Sequence, residues 1–339
     1  MKRLKYILLI TYNLLLVTCV YAQDPTFSQF FSSPLNVNPA LTANINSDWR
    51  AITNYRSQWM GASSPYVTGT ISYDSKVLQH KNAFVEENNY LGLGGMLMFD
   101  RAMGGVAKAT FASLNLSYNI KLIDGPAKHR LGVGFGGTYG RRSVDFSRLD
   151  FEEQYTGFGF NTNLPTGETA LSDMKGFISV STGLTYSVTS DNSNFDIGVA
   201  LFHVNRPKQT FFQDDNQRLA IRKVAHANFE TYINDRTILN TAAIYQLQGG
   251  ARYVSAGGGV GYYLGDAKGP IINAGLWYWA ENGFVPYAGL VYNNFQFGLT
   301  YDITTSKLNE AARKPGSIEL SLIWRGSREP SKNIPCPWK

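Results

Sequence analysis

His226, Asn228 and Glu230 are the residues of this sequence most suited to acid–base chemistry, and they follow one another at every second position. In a strand, residues at this spacing project from one face, so a histidine, an amide and a carboxylate would lie side by side. Such a group suits general acid–base catalysis, and it equally suits the polar lining of a barrel. No nucleophile elbow of the G-x-S-x-G type and no phosphate-binding P-loop occurs in the sequence. We therefore favour the polar lining and predict that the chain is not an enzyme.

Other patterns resemble ligand sites but lack the context that such sites need. The run 132–137 matches the dinucleotide-binding fingerprint, yet its glycines alternate with apolar residues and no strand–turn–helix unit surrounds it. The acidic stretch 214–216 would hold calcium only weakly, so we expect an exposed loop tip there. The histidines have no metal-ligand spacing to one another or to Cys336, so we predict neither a metal nor a cofactor. The four histidines are His80, His129, His203 and His226.

Alternation of apolar and polar residues runs through most of the chain and is clearest at 112–121, 178–188 and 295–304. Successive strand residues point to opposite faces, so this pattern predicts strands that separate two different media. Each predicted strand is long enough to cross a bilayer, which takes about 9–11 residues. Residues 48–325 are therefore predicted to form an all-β, transmembrane antiparallel β-barrel of about 14 strands. The predicted strands are 49–59, 65–75, 89–100, 105–121, 129–146, 174–189, 194–205, 219–233, 237–247, 251–264, 270–280, 283–293, 295–304 and 316–325.

The lengths of the connections predict the orientation of this barrel. If the first strand runs outward, the long connections 147–173, 206–218 and 305–315 lie outside, whereas several connections on the other side are tight turns. Long external loops and short periplasmic turns are typical of outer-membrane barrels. The connection 76–88 is an exception, because it is long and would lie on the inner side.

Composition supports a membrane barrel and argues against a nucleic-acid partner. Charged residues make up 17% of the chain, which also contains 20 Tyr, 20 Phe and 33 Gly, whereas soluble domains carry about 25% charged residues. After residue 22, no stretch of the sequence approaches the ~18 consecutive apolar residues that a transmembrane helix requires. The formal net charge of +6 includes three basic residues near the N-terminus. Their removal leaves about +3, without the dense basic face that nucleic acid requires.

Residues 1–22 have the three parts of a secretory signal peptide: basic residues, an apolar run and a small-residue end at Ala22. Cleavage there would begin the mature chain at Gln23. An alternative remains open, because residues 16–19 loosely resemble a lipoprotein cleavage site at Cys19. Cleavage after Ala22 would leave Cys336 as the one cysteine of the mature chain, so no internal disulfide is expected.

Residues 23–47 contain three prolines and several large apolar side chains but almost no charge. The stretch is too rich in proline for a ladder strand, and its phenylalanines are too apolar to remain in water. We predict a short periplasmic segment that lies in or across the periplasmic mouth of the barrel like a plug. Arg50, Arg56 and Gln58 alternate with apolar neighbours, so they are expected to point inward and to anchor it.

Three motifs together resemble a known family. The mature chain opens with QDPTFSQFFSSPLNVNPA at 23–40, continues with NYRSQW at 54–59, and ends near Cys336-Pro337-Trp338. This combination strongly resembles the PorP/SprF family of type IX secretion-system outer-membrane proteins, over the length from residue 23 to the end. The resemblance implies an outer-membrane barrel of a Bacteroidota-type bacterium. It also implies a role in type IX secretion or gliding motility, with contacts to periplasmic machinery.

We therefore expect a multi-pass outer-membrane protein that helps particular secreted cargo, such as adhesins with a type IX sorting domain, to reach or stay on the cell surface. The alternative function is an outer-membrane transport barrel for hydrophobic or small solutes. Residues 326–339 are expected to form a periplasmic C-terminal tail. The candidate plug or partner contacts are Asp24, Pro25, Phe27, Phe30, Pro39, Tyr55, Arg56, Trp59 and Cys336.

Overall fold

The computed structural model describes residues 24–60, 64–78, 89–123, 125–167, 174–209, 217–265, 269–306 and 316–326. In this part of the chain, fourteen strands form one closed antiparallel barrel in which every strand pairs with its sequence neighbours and the first pairs with the last. The prediction of a fourteen-stranded barrel is confirmed. The strands are β1 (Trp49–Gln58), β2 (Tyr66–Leu78), β3 (Tyr90–Ala102), β4 (Ala107–Ile123), β5 (Ala127–Val144), β6 (Phe177–Ser190), β7 (Ser193–Phe202), β8 (Arg222–Asn234), β9 (Thr237–Gln248), β10 (Ala251–Tyr263), β11 (Ile271–Trp279), β12 (Gly283–Tyr292), β13 (Phe295–Thr304) and β14 (Ser317–Gly326).

The alternation seen in the sequence is the alternation of the barrel wall. In β13, exposed and buried residues alternate without a break, and the exposed ones include Phe297, Leu299 and Tyr301. These apolar side chains face the lipid, whereas the intervening polar side chains face the lumen. The barrel closes through β1 and β14 in a regular register from Trp49↔Gly326 to Ser57↔Ile318.

The two ends of the barrel differ in their connections. The end where β1 begins and β14 ends is here called the inner end, and the opposite end is called the outer end. The three longest connections, 145–176, 203–221 and 305–316, all lie at the outer end, as in outer-membrane barrels with long external loops. The inner connection 79–89 is the long exception that the sequence also showed.

Residues 24–48, which we call the luminal segment, lie inside the barrel. The segment contains a 3₁₀ turn (Phe30–Ser32), a short helix (Pro34–Val37) and a second 3₁₀ turn (Pro39–Leu41). Most of its residues are buried. The segment was expected at the periplasmic mouth, but it extends from the outer end of the lumen to the inner end, where it enters β1. Among the described residues, no helix is long and apolar enough to cross a membrane.

The main apolar core lies between the luminal segment and the barrel wall. Phe30, Val37 and Leu41 are buried in one cluster with Trp277 and Tyr287 of the wall. The Phe31 ring also contacts the wall, with its centroid 4.9 Å from that of Trp277 and 5.6 Å from that of Tyr287. The prolines prevent the segment from joining the sheet, so its apolar side chains are buried by packing across the lumen instead.

Candidate functional site

Asp24 anchors the luminal segment at the outer end of the barrel. Its carboxylate lies 2.5 Å from Nε2 of His203, 3.5 Å from Arg142 and 3.7 Å from Arg222. Its backbone N–H donates to Oε1 of Gln248 at 2.9 Å. Four separate parts of the wall therefore converge on the first described residue of the chain.

The surroundings of Asp24 favour its charged form. Burial raises the pKa of this carboxyl group, but the hydrogen bond and charge of His203, together with Arg222 and Arg142, outweigh burial and hold the pKa well below its ordinary value. A carboxylate with a lowered pKa stabilises the folded arrangement at neutral pH. Asp24 thus contributes as an anion.

A second anchor, also towards the outer end, joins Arg56 to two buried carboxylates. Arg56 Nη2 donates to Asp302 Oδ2 at 2.8 Å, and its Nε lies 3.7 Å from Glu319 Oε2. Arg56 also donates to the backbone carbonyl of Thr26 in the luminal segment. The three ionic side chains are 1% exposed, so truncating Arg56 would leave two buried carboxyl groups without their positively charged partner.

Glu319 also binds the backbone of the luminal segment directly. Its Oε2 accepts the N–H of Ser28 at 2.8 Å, and its Oε1 accepts the N–H of Gln29 at 3.0 Å. Hydrogen bonds to a charged group are roughly twice as strong as neutral ones. The Gln29 side chain completes the contact, because its Nε2 donates to the carbonyl of Glu319 at 3.0 Å and Ser321 donates to its Oε1 at 2.7 Å.

In the middle of the lumen, Asn38 joins the segment to β6, β7 and β8. Its Nδ2 lies 3.1 Å from the carbonyl oxygen of Leu184, 3.2 Å from that of Val199 and 3.1 Å from Nε2 of His226. An amide NH₂ only donates, so Nε2 of His226 accepts and the ring proton lies on Nδ1. His226 is one of the three polar residues predicted to share a face of β8, and it accepts this hydrogen bond from the luminal segment.

Glycines make this close approach possible. A Cβ added to Gly134 would overlap the backbone of Pro39 and Ala40, and one added to Gly183 would overlap the side chain of Asn38. Glycine within a strand often marks a place where another backbone comes near. The run that resembled a dinucleotide fingerprint is thus the wall against which the second 3₁₀ turn lies.

At the inner end, Asp74 holds the segment just before β1. Its Oδ2 accepts the N–H of Ala43 at 2.7 Å, and Arg50 donates to both carboxylate oxygens at 3.0 and 2.7 Å. Ala43 has a φ of 56°, a conformation that a non-glycine residue adopts only when its surroundings enforce it. Nearby, Asn44 donates to Asp196 at 3.0 Å.

A cavity of about 60 Å³ lies between the luminal segment and strands β7 to β9. Phe30, Phe31 and Leu41 form part of its apolar side, whereas His226 and Asn240 contribute polar side chains. Within the described part of the chain, His226 Nδ1 and Asn240 Nδ2 are buried without a hydrogen-bond partner. A polar cavity of this size suits a few water molecules.

The structure brings most of the predicted contact residues to this interface. Phe27 and Phe30 are buried, and Pro25 accepts a hydrogen bond from Asn36 at 3.3 Å. Asp24, Pro39 and Arg56 take part in the contacts described above.

Tyr55 and Trp59 do not reach this interface. Tyr55 is 46% exposed on the outer surface of the barrel, and Trp59 lies beyond the end of β1 with its ring against Tyr66. Cys336 lies outside the described residues.

Several anchoring residues of the wall were missed by the sequence analysis. Each occupies a lumen-facing position of a strand, or the residue next to a strand end, and each carries a charge or an imidazole ring. That combination was a usable signal, because a buried charge in a barrel wall requires a partner. The missed residues are Asp74, Arg142, His203, Arg222, Asp302 and Glu319.

Within the described part of the chain, no group of three or more His, Cys, Asp or Glu side chains is placed to hold a metal ion. The charged groups in the lumen bind one another and the luminal segment instead, so the site binds the protein's own chain.

Comparison of the sequence with known families gives one match. The family described as "Type IX secretion system membrane protein PorP/SprF" matches residues 19–324, which include the luminal segment and nearly all of the barrel. A comparison with individually curated proteins gives no match.

Solved structures of similar shape are outer-membrane barrels with little sequence identity to this chain. The toluene transporter TbuX of Ralstonia pickettii has 11% identity and a TM-score of 0.43, with 87% of this chain and 94% of that chain covered. The toluene transporter TodX of P. putida has 10% identity and a TM-score of 0.44, with coverages of 86% and 93%. A deletion mutant of the TodX monoaromatic hydrocarbon channel has 9% identity and a TM-score of 0.49, with coverages of 87% and 94%. At these scores the likeness says nothing about function.

Proposed function

Because this chain belongs to the PorP/SprF family of type IX secretion system membrane proteins, we propose that it helps a particular secreted protein to reach or stay on the cell surface. In this proposal the barrel acts by binding and carries out no catalysis. The observation that carries it is the luminal segment, which runs through the lumen and is held at both ends by buried ionic groups of the wall. A barrel occupied in this way offers its two ends as binding surfaces.

The alternative, transport of hydrophobic or small solutes, has weaker support. Hydrocarbon channels and toluene transporters are among the solved barrels of similar shape, but their similarity is too low to transfer a function. Passage through this lumen would require the segment to give up its hydrogen bonds to buried groups of the wall, such as those of Ser28 and Gln29 to Glu319 and that of Ala43 to Asp74. Each of these acceptors is buried, so the loss of each hydrogen bond would cost about 1–3 kcal/mol.

The partners follow from the family and from the two ends of the barrel. We propose that the inner end meets periplasmic components of the secretion or motility machinery and that the outer end meets the cargo. Residues 1–22 act as a cleaved signal peptide in this proposal. The tail 327–339, with Cys336, would contribute to the inner surface, although these residues lie outside the described structure.

Deletion of the gene in the source bacterium tests this proposal. We expect one or a few large surface proteins to be lost from the cell surface or released into the medium, with uptake of small solutes unchanged. Quantitative mass spectrometry of surface and medium fractions measures the first effect, and growth on toluene or long-chain alkanes as carbon source measures the second. Unchanged surface proteins together with impaired solute uptake would favour the transport barrel.

A further inference from the structure

The outer connection between β5 and β6 carries an exposed group of aromatic residues, which we call the aromatic tip. Its members are Tyr155, Phe158 and Phe160. Phe158 is 104% exposed, Tyr155 is 55% exposed and Phe160 is 53% exposed. The Tyr155 and Phe160 rings contact each other with centroids 5.2 Å apart. Phe158 projects beyond this pair and touches neither the barrel nor the luminal segment.

Hydrogen bonds fix the shape of the loop beneath the tip. Gln154 donates from Nε2 to the carbonyl of Leu164 at 3.0 Å and accepts the N–H of Phe151 at 3.1 Å. Thr156 donates twice to the carbonyl of Gly159, from its N–H at 2.9 Å and from its hydroxyl at 2.8 Å. The tip is therefore presented by an ordered turn, so little conformational entropy remains to be lost when a partner binds it.

The glycines on both sides of Phe158 also indicate a turn of defined shape. Gly157 and Gly159 have φ values of 87° and 157°, which favour glycine because other side chains are strained there. A Cβ added at either position would meet no atom within 4 Å. The backbone is thus shaped to hold Phe158 away from the rest of the described molecule.

An ordered, fully exposed phenylalanine stabilises no part of the described fold. Exposed apolar groups of this kind mark interaction sites, and aromatic anchors at the centre of an interface commonly dominate the binding energy. Two classes of partner would bury the tip: the surrounding membrane surface or another protein.

Charge distinguishes these two partners. The described loop 145–167 carries four exposed acidic residues and one arginine. An anionic membrane surface would repel such a loop, because membrane-surface segments are rich in Lys and Arg. A protein pocket with a basic rim would attract it. The acidic residues are Asp145, Asp150, Glu152 and Glu153.

We infer that the aromatic tip docks into an apolar pocket, bordered by Lys or Arg, on the secreted surface protein that this barrel serves. The identity of the partner rests on the proposed function, whereas the apolar and basic character of its pocket follows from the loop itself. Phe158 fills the pocket, and Glu152 and Glu153 face its basic rim.

The test replaces the gene in the source bacterium with variants and measures the surface protein that is lost when the gene is deleted. Phe158→Ser should lower the amount of that protein on the surface about tenfold, the loss expected on removing a central aromatic anchor. Phe158→Trp should restore it, and Asn163→Ser, an exposed change in the same loop, should leave it at the wild-type level. Heat-modifiable migration on gels checks that each variant barrel is folded.

The double variant Glu152→Lys, Glu153→Lys separates the two partners. Loss of the surface protein is expected if the pocket has a basic rim, whereas improved retention would indicate membrane insertion and overturn the inference. If gene deletion affects a surface protein but Phe158→Ser does not, the inference is wrong and the proposed function stands. If deletion affects no surface protein, the proposed function fails, and the inference fails with it.

Discussion

Glu319 illustrates how single residues of the wall hold the luminal segment through its backbone. Its two carboxylate oxygens accept the N–H groups of Ser28 and Gln29 while it lies beside Arg56. Glu319→Gln keeps the shape but replaces one of the two accepting oxygens with an amide NH₂, which would face a backbone donor. The free energy of unfolding in lipid vesicles should fall by about 1–3 kcal/mol, because a buried backbone N–H would lose its acceptor.

The matched control for this variant is Glu281→Gln. Glu281 also pairs with an arginine, since Arg252 lies 2.7 Å away, but the two side chains are 49% and 55% exposed. Exposed ion pairs contribute little to stability, so urea titration should show no measurable change. An equal effect of the two substitutions would mean that burial of the Glu319 cluster is unimportant.

The lowered pKa of Asp24 predicts that the stability of the outer anchor depends on pH. Because its pKa is lowered on folding, its stabilising contribution is complete above the ordinary pKa of aspartate, about 4, and is lost as the pH falls below that value. The difference in unfolding free energy between the wild type and Asp24→Asn should therefore be fully developed at pH 5. It should shrink as the pH is lowered from 4 towards 2, as measured by unfolding in urea. A difference independent of pH over the whole range would exclude the charge of Asp24 as the cause.

At the residue scale, the sequence predicted the anchoring residues of the luminal segment and of β1 more readily than their partners in the other strands. Phe27, Phe30 and Arg56 were accessible because apolar residues in a proline-rich stretch and an inward arginine require burial or a partner. Their partners were not accessible, since Arg56 and Asp302, for example, are 246 positions apart and only the closed barrel brings them together. Tyr55 and Trp59 belong to a recognisable motif, but alternation places Tyr55 on the lipid-facing side.

At the scale of the elements, the lumen-facing side of β5 leaves space for the backbone of the luminal segment. An added methyl group at Gly134 would overlap the backbone of Pro39 and Ala40, and backbone cannot yield as a side chain would. Gly134→Ala should destabilise the docked segment by about 1–3 kcal/mol, as for other overpacked interiors, and should make residues 24–45 cleavable by proteinase K in detergent. Gly137→Ala is the control, because a Cβ there meets nothing within 4 Å. Equal protease resistance of the two variants would contradict the close contact.

The strands themselves were predictable because alternation is a local property. The predicted strand 295–304 has the bounds of β13, and 251–264 differs from β10 by a single residue at its end. The path of the luminal segment was not predictable in the same way. Its prolines exclude a strand and its apolar residues require burial, but both facts agree with a plug at one mouth as well as with a segment along the whole lumen. Only the anchors at Asp24 and Asp74, at opposite ends, distinguish the two.

At the scale of the whole molecule, the arrangement makes the barrel a closed body whose lumen is occupied by its own chain. The wild-type protein should therefore show no steady conductance in a planar lipid bilayer. Deletion of residues 24–40 removes the outer and middle anchors and should open a lasting pore, since barrels of this size without a plug enclose a passage. Single-channel recording measures both, with Glu281→Gln as the control that should remain closed. Steady conductance of the wild type would show that the luminal segment leaves an open path, and it would restore solute transport as the leading function.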